Sequence, residues 1–142
     1  MVEVYPACSS REMGAELLLR LTNGWNEVFE LLKEIGVGEL PQMEGVEITL
    51  LDDDEMARIH GEFLDDASPT DVITFDHGEL LVGVETAERQ AAIFASSPDR
   101  EIALYGIHGM LHLAGFDDRC EKDAKAMAVR QMELLERFFP SL

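Results

Sequence analysis

The sequence predicts a small domain that mixes strands and helices, the α+β class, on three observations. Short β-branched stretches alternate apolar and polar side chains, as at Val46-Glu47-Ile48-Thr49-Leu50, which is the period of a half-buried strand. Longer stretches repeat apolar residues at helical spacing. At 142 residues the chain suits one compact domain, so residues 1–142 are expected to fold as a single unit.

Val2–Tyr5 reads as the first strand. Ser9-Ser10-Arg11-Glu12 has the form of a capping box, in which serine and glutamate satisfy each other's free amides. Met13, Leu17, Leu21, Trp25, Val28, Leu32 and Ile35 then follow a helical period. Thr22-Asn23-Gly24 weakens its middle and leaves one helix or two open; Gly36, Gly38 and Pro41 end it. After the Val46–Leu50 strand, Asp52 and Glu55 repeat the capping pattern ahead of a helix through Met56, Ile59 and Phe63. Asp65–Pro69 is a loop. Asp71–Phe75 and Glu79–Val84 are strands joined by Asp76-His77-Gly78, a hairpin-length link, and Glu85–Phe94 is helical. Ser97-Pro98 opens the next helix with a cap and a first-turn proline. That helix is apolar on nearly every side (Ile102, Leu104, Tyr105, Ile107, Met110, Leu111, Leu113), so it is expected to be buried. Gly115 ends it as a left-handed cap, and a last amphipathic helix runs from about Glu121 to Phe138. Trp25 and Phe29 are read as core.

Lys and Arg number 11 against 29 Asp and Glu, a formal net charge of −18, while 46% of residues are apolar. A core is therefore affordable despite the charge. From Glu39 to Glu88 there are fifteen acids and a single base, Arg58. No basic stripe of the kind that supplies phosphate affinity is present, so composition alone argues against RNA. Solubility accounts for the acids; a salt-adapted host or a basic partner are the sharper alternatives. No apolar run is long enough to span a membrane, and Met1–Pro6 lacks the blocks of a signal peptide. Cys8 and Cys120 form no CxxC pair, and a reduced, cytoplasmic setting is expected.

His108 and His112 lie four apart on the buried helix, about 40° from one another around its axis, so both rings reach one point. Gly115 turns the chain and Asp117-Asp118 follow. Two imidazoles and a carboxylate around one centre, with a position left open, is the pattern of a catalytic zinc. A pair of hydrogen-bonded core histidines is the plain alternative, since buried imidazoles need partners. Zinc proteases of the H-E-x-x-H type carry their general base directly after the first histidine. Here that position is Gly109, and the peptidase reading falls accordingly.

The stretch from His108 to Asp118 resembles the signature H-G-x-L-H-L-x-G-[FY]-D-H of the YbeY family of bacterial metal-dependent endoribonucleases. Pro69-Thr70-Asp71-Val72-Ile73-Thr74-Phe75 is similar to that family's P-T-D-V-[LI]-[ST]-F strand, and Gly78-Glu79-Leu80-Leu81-Val82 to its G-[DE]-[IL]-x-[IV] strand. The likeness runs from about Val46 to Phe138. It implies a small mixed sheet packed with helices, a zincin-like architecture, with one zinc per chain. It also implies single-strand-specific cleavage in ribosomal RNA maturation, at the 3′ end of small-subunit RNA, and in ribosome quality control. Ribosomal RNA and the small subunit are then the partners.

Metal ligation and catalysis carry over to His108 and His112. The family's third ligand is histidine; Asp118 stands there, a sound zinc ligand that also suits a harder ion such as Mn²⁺, with Asp117 as support or substitute. Thr70 and Asp71 are expected to flank the RNA, and His77 lies in the turn near the family's cleft. Where family members carry tyrosine and arginine before the proline block, this chain has Phe63 and Leu64, so a guanidinium suited to a scissile phosphate is missing from its usual place; Arg58 and Arg119 are the candidate replacements. Cys120 is expected to be a buried, inert thiol. Two other readings stand beside the nuclease. One is a non-catalytic ribosome-associated factor with a structural metal, its acidic surface docked on a basic ribosomal protein. The other, disfavoured by Gly109, is a different zinc hydrolase.

Overall fold

A computed structural model describes residues 1–142. The strands β1 (Val2–Pro6), β2 (Val46–Leu51), β3 (Val72–Phe75) and β4 (Glu79–Gly83) form one sheet in the order β1-β2-β4-β3. β1, β2 and β4 run parallel, and β3 lies antiparallel on the edge beside β4. The helices are α1 (Ala15–Ile35), α2 (Asp53–Leu64), α3 (Val84–Ile93), α4 (Pro98–Leu113) and α5 (Glu121–Phe138). This is the expected α+β class with a mixed sheet.

Alternation along the strands divides the apolar residues between two faces. Ile48, Leu50, Leu80 and Val82 join α1, α3, α4 and α5 in the main core. Leu51, Ile73 and Leu81 point the other way and are covered by Met56 of α2. α4 lies at the centre of the larger core, which is why its sequence is apolar nearly all round.

α1 is one helix, and the reason lies outside it. A Cβ on Gly24 would stand 2.3 Å from the Phe139 ring, so the glycine makes room for an aromatic from the chain's end. α4 uses the same device on two faces. A Cβ on Gly106 would stand 2.4 Å from the Trp25 indole, and one on Gly109 would stand 2.9 Å from Leu80 of β4. Gly109 therefore has no space for a general base; the position faces the sheet.

Some local signals survive folding and others do not. Ser97 caps α4 by accepting from the Arg100 N–H at 3.1 Å. Gly115 takes φ +92°, and the Phe116 N–H reaches back to the Leu111 carbonyl at 3.0 Å, the wrap-around bond of a Schellman end. The Ser9–Glu12 capping box does not form: α1 begins at Ala15 after Gly14, with no side-chain cap. Instead Ser9 and Ser10 each donate a backbone N–H and a hydroxyl to the Asp52 carboxylate. Four donors outweigh one cap bond, so Asp52 does not cap α2 with its side chain either; the Asp53 N–H is taken by Glu85 Oε1 at 2.8 Å.

The Ser10 hydroxyl first, then the Ser9 backbone, hold the Asp52 carboxyl down from 3.8 to about 2. A depressed carboxylate contributes stability that is complete above its unfolded value and lost as pH falls through its folded one. Asp52→Ala is thus expected to cost about 1 kcal/mol at neutral pH, a figure reduced for solvent screening. The difference from wild type should vanish between about pH 4 and pH 2, as urea unfolding across that range would show.

Candidate metal centre

His108 and His112 occupy the last two turns of α4 with their rings edge to face, centroids 4.6 Å apart. Their Nε2 atoms are 3.0 Å from one another. The Gly115 turn brings the chain back so that Asp118 Oδ2 lies 3.9 Å from both, and the three ligand atoms fall within 4.8 Å of one another. The turn is held from outside, since the Val37 N–H donates to the Ala114 carbonyl at 3.0 Å. A Cβ on Gly38 would meet the Leu113 carbonyl at 2.4 Å. Gly36 and Gly38 thus do more than stop α1: they let that loop lie against the end of α4.

The donor set fits a divalent ion. His108 Nδ1 is 2.9 Å from Gln131 Oε1 on α5; where Nδ1 donates there, Nε2 keeps its lone pair. Burial first, then the adjacent His108, lowers the His112 pKa below its ordinary 6.5, which favours the neutral, ligating form. Two ring nitrogens and a carboxylate oxygen so face one another. Ligand atoms about 2.0–2.1 Å from a tetrahedral zinc stand about 3.3 Å apart, and the separations of 3.0 and 3.9 Å straddle that value. Zinc and other divalent ions are equally compatible with a His₂-carboxylate set.

Gln131 was not among the residues singled out from sequence. It lies on the inward stripe of α5, between Met127 and Leu134, both buried, so a polar residue on an apolar stripe was the available signal. Orienting bonds of this type are worth about 10–100-fold in metal affinity. Gln131→Leu is expected to lose that much in competition with a chromophoric chelator, with helix content unchanged.

Three clefts meet at the imidazoles. The first, of about 410 Å³, runs past Thr74, Asp76, His112, Asp118 and Arg119. The second, of about 500 Å³, holds Thr70 and Asp71 beside His108. The third, of about 460 Å³, has Phe63, Leu64 and Phe75 opposite both histidines. Thr70 and Asp71 are therefore next to the cluster. Asp117 is close by but occupied, accepting from the Arg119 N–H at 2.7 Å; of the two acids, Asp118 faces the imidazoles. His77 lies apart, in a cleft with Glu3, Glu47 and Glu79, its ring stacked on Phe75. Arg58 is held by Glu55 and Glu62 on α2, whereas Arg119, 91% exposed at the mouth of the first cleft, meets only Asp117, its Nε 3.5 Å from Oδ2. Cys120 is exposed, contrary to expectation, because its Sγ caps α5 by accepting from the Asp123 N–H.

A small mixed-sheet fold carrying an H-x-x-x-H helix and a returning acid at a cleft junction defines a class, the metal-dependent hydrolases. A family profile described as endoribonuclease YbeY matches residues 15–139. Proteins named endoribonuclease YbeY from Bacillus thuringiensis (strain Al Hakam) and Bacillus cereus (strain AH187) are each 33% identical to it, with 79% of this chain and 87% of theirs covered. The solution structure of TM1509 from Thermotoga maritima aligns with a TM-score of 0.69 at 28% identity, covering 99% of this chain and 90% of that one. The chain belongs to the endoribonuclease YbeY family, and so to the nucleases.

Proposed function

We propose that this chain is a single-strand-specific, metal-dependent endoribonuclease acting in the cytoplasm on ribosomal RNA, in 3′-end maturation of the small-subunit RNA and in ribosome quality control. The observation that carries the reading is the convergence of His108, His112 and Asp118 where three open clefts meet. A bound divalent ion would supply a water of lowered pKa and positive charge against a phosphoryl oxygen. The chain's own groups do the rest. His108 and His112 would hold the ion, with the His108 ring oriented by Gln131. Asp118 completes the set, while Asp117 braces the turn that presents it. Thr70 and Asp71 flank the strand being cut. Arg119, paired only at the surface with Asp117, is the guanidinium placed to reach a phosphate at the first cleft, since Arg58 is engaged on α2. No helix is long and apolar enough to cross a membrane.

The test is incubation of the metal-loaded protein with single-stranded and duplex ribosomal RNA. Cleavage of the single strand alone, stopped by chelator and restored by added ion, is expected. Arg119→Ala should lower the rate about tenfold or more with metal content unchanged, read by elemental analysis. With a charge of −18, affinity for RNA should be modest and helped by Mg²⁺. Leu64 in place of the family arginine favours a second reading, a non-catalytic ribosome-associated factor with a structural metal docked on a basic ribosomal protein. Metal retention with no cleavage of any RNA would favour it.

A further inference from the structure

We infer that the cleft between α3 and α4 beside His108 is a pocket for an unpaired nucleobase, with guanine preferred, read by Glu101 and Tyr105 and stacked on Phe94. The inference rests on the reading of the chain as an RNA-cleaving enzyme and names the base that this enzyme selects next to its metal centre.

Glu101 is the one charged side chain buried in the molecule, at 8% exposure. Its carboxylate lies at the cleft with no cation paired to it; the guanidiniums of Arg100 and Arg89 are taken by Glu136 and Asp53. One turn further along α4, the Tyr105 hydroxyl is buried without a hydrogen-bond partner. Burial, then the neighbouring Glu101, raises its pKa, so the phenol keeps its proton, although the two groups do not meet in hydrogen-bond geometry. A buried donor left open, beside a carboxylate that faces the cleft with no cation paired to it, is costly unless something there supplies its partner.

The lining says what kind of partner fits. No lysine or arginine borders this cleft, and Asp71 stands at it with its carboxylate bonded to the Val72 N–H and the Thr70 hydroxyl. Phosphate is therefore excluded, and a neutral group rich in N–H donors is favoured. Phe94, 68% exposed, borders the same cleft and offers a ring on which a base can stack. Single-stranded RNA presents such bases with their Watson–Crick edges free. On guanine that edge carries two adjacent donors, N1–H and the N2 amino group, which suit a carboxylate, next to the O6 acceptor, which suits the tyrosine hydroxyl. Adenine, cytosine and uracil each offer only one donor group on that edge, beside acceptors that a carboxylate repels.

The experiment uses nucleosides, which carry no phosphate and need no chemistry. Guanosine, adenosine, cytidine and uridine are titrated into the zinc-loaded protein and followed by amide resonances. Guanosine is expected to move Thr86, Gln90, Phe94 and Glu101, and to bind about tenfold or more tighter than the others. Glu101→Gln should abolish that preference. Phe94→Ala, at an exposed site that leaves the core intact, should weaken all four while guanosine remains first. Equal binding of the four nucleosides, no binding at millimolar concentration, shifts confined to residues outside the cleft, or an unchanged preference in Glu101→Gln would overturn the proposal. Guanosine selectivity in a protein that cuts no RNA would sustain the pocket and end the nuclease reading. RNA cleavage without nucleoside selectivity would do the reverse.

Discussion

Replacing His112 by alanine is expected to strip the ion from the protein and to lower cleavage of single-stranded RNA by at least about 100-fold. The size follows from how few donors there are. His108, His112 and Asp118 are the group of three side chains in the molecule placed so that they could hold an ion, and the variant retains two of them. The imidazole of His108 would also lose the partner that faces it across 3.0 Å. Folding should survive, because the His112 side chain is 32% exposed and closes no part of the core. Elemental analysis, circular dichroism and an RNA assay on one preparation would separate the outcomes. Retained metal would mean the ion sits elsewhere; cleavage equal to wild type would point to a contaminating nuclease.

Trp25→Ala should have the largest effect on stability, about 3–5 kcal/mol, out of a total that for a domain of this size is about 5–15 kcal/mol. Trp25 is wholly buried, meets the Phe139 ring edge to face at 6.4 Å, and lies over Gly106 of α4. Its indole N–H donates to the Ala103 carbonyl at 3.0 Å. The substitution therefore opens a cavity between α1 and α4 and removes a buried bond together. Urea unfolding would measure it, with Phe63→Ala, at a site 63% exposed, as the comparison expected to change little. A loss under about 1 kcal/mol would mean that α1 does not brace the helix that carries His108 and His112.

The strands, the Ser97-Pro98 start of α4 and the Gly115 stop were legible because each is decided by neighbours in sequence: side-chain alternation, one cap bond, one left-handed residue. The two capping boxes were misread for the opposite reason. Their partners were chosen by distance in space, with Ser9 and Ser10 turning to Asp52 and the Asp53 N–H turning to Glu85. Gly24 reads locally as a weak point in a helix, whereas the Phe139 ring, from the other end of the chain, fills the space it leaves. Gln131 and Glu101 carried a signal, polarity on apolar faces, yet nothing local says that one orients His108 and the other lies open to a cleft.

By itself the sequence determined the donor types and the angle between two of them, because helical geometry sets where residues four apart point whatever surrounds them. It also determined that the chain must reverse at Gly115. Only the tertiary structure decided which of the two following acids faces the imidazoles, which arginine stands at the site, and what lines the three clefts. Those outcomes depend on packing between segments far apart in the chain, where competing partners differ by one or two hydrogen bonds and no period in the sequence records the winner.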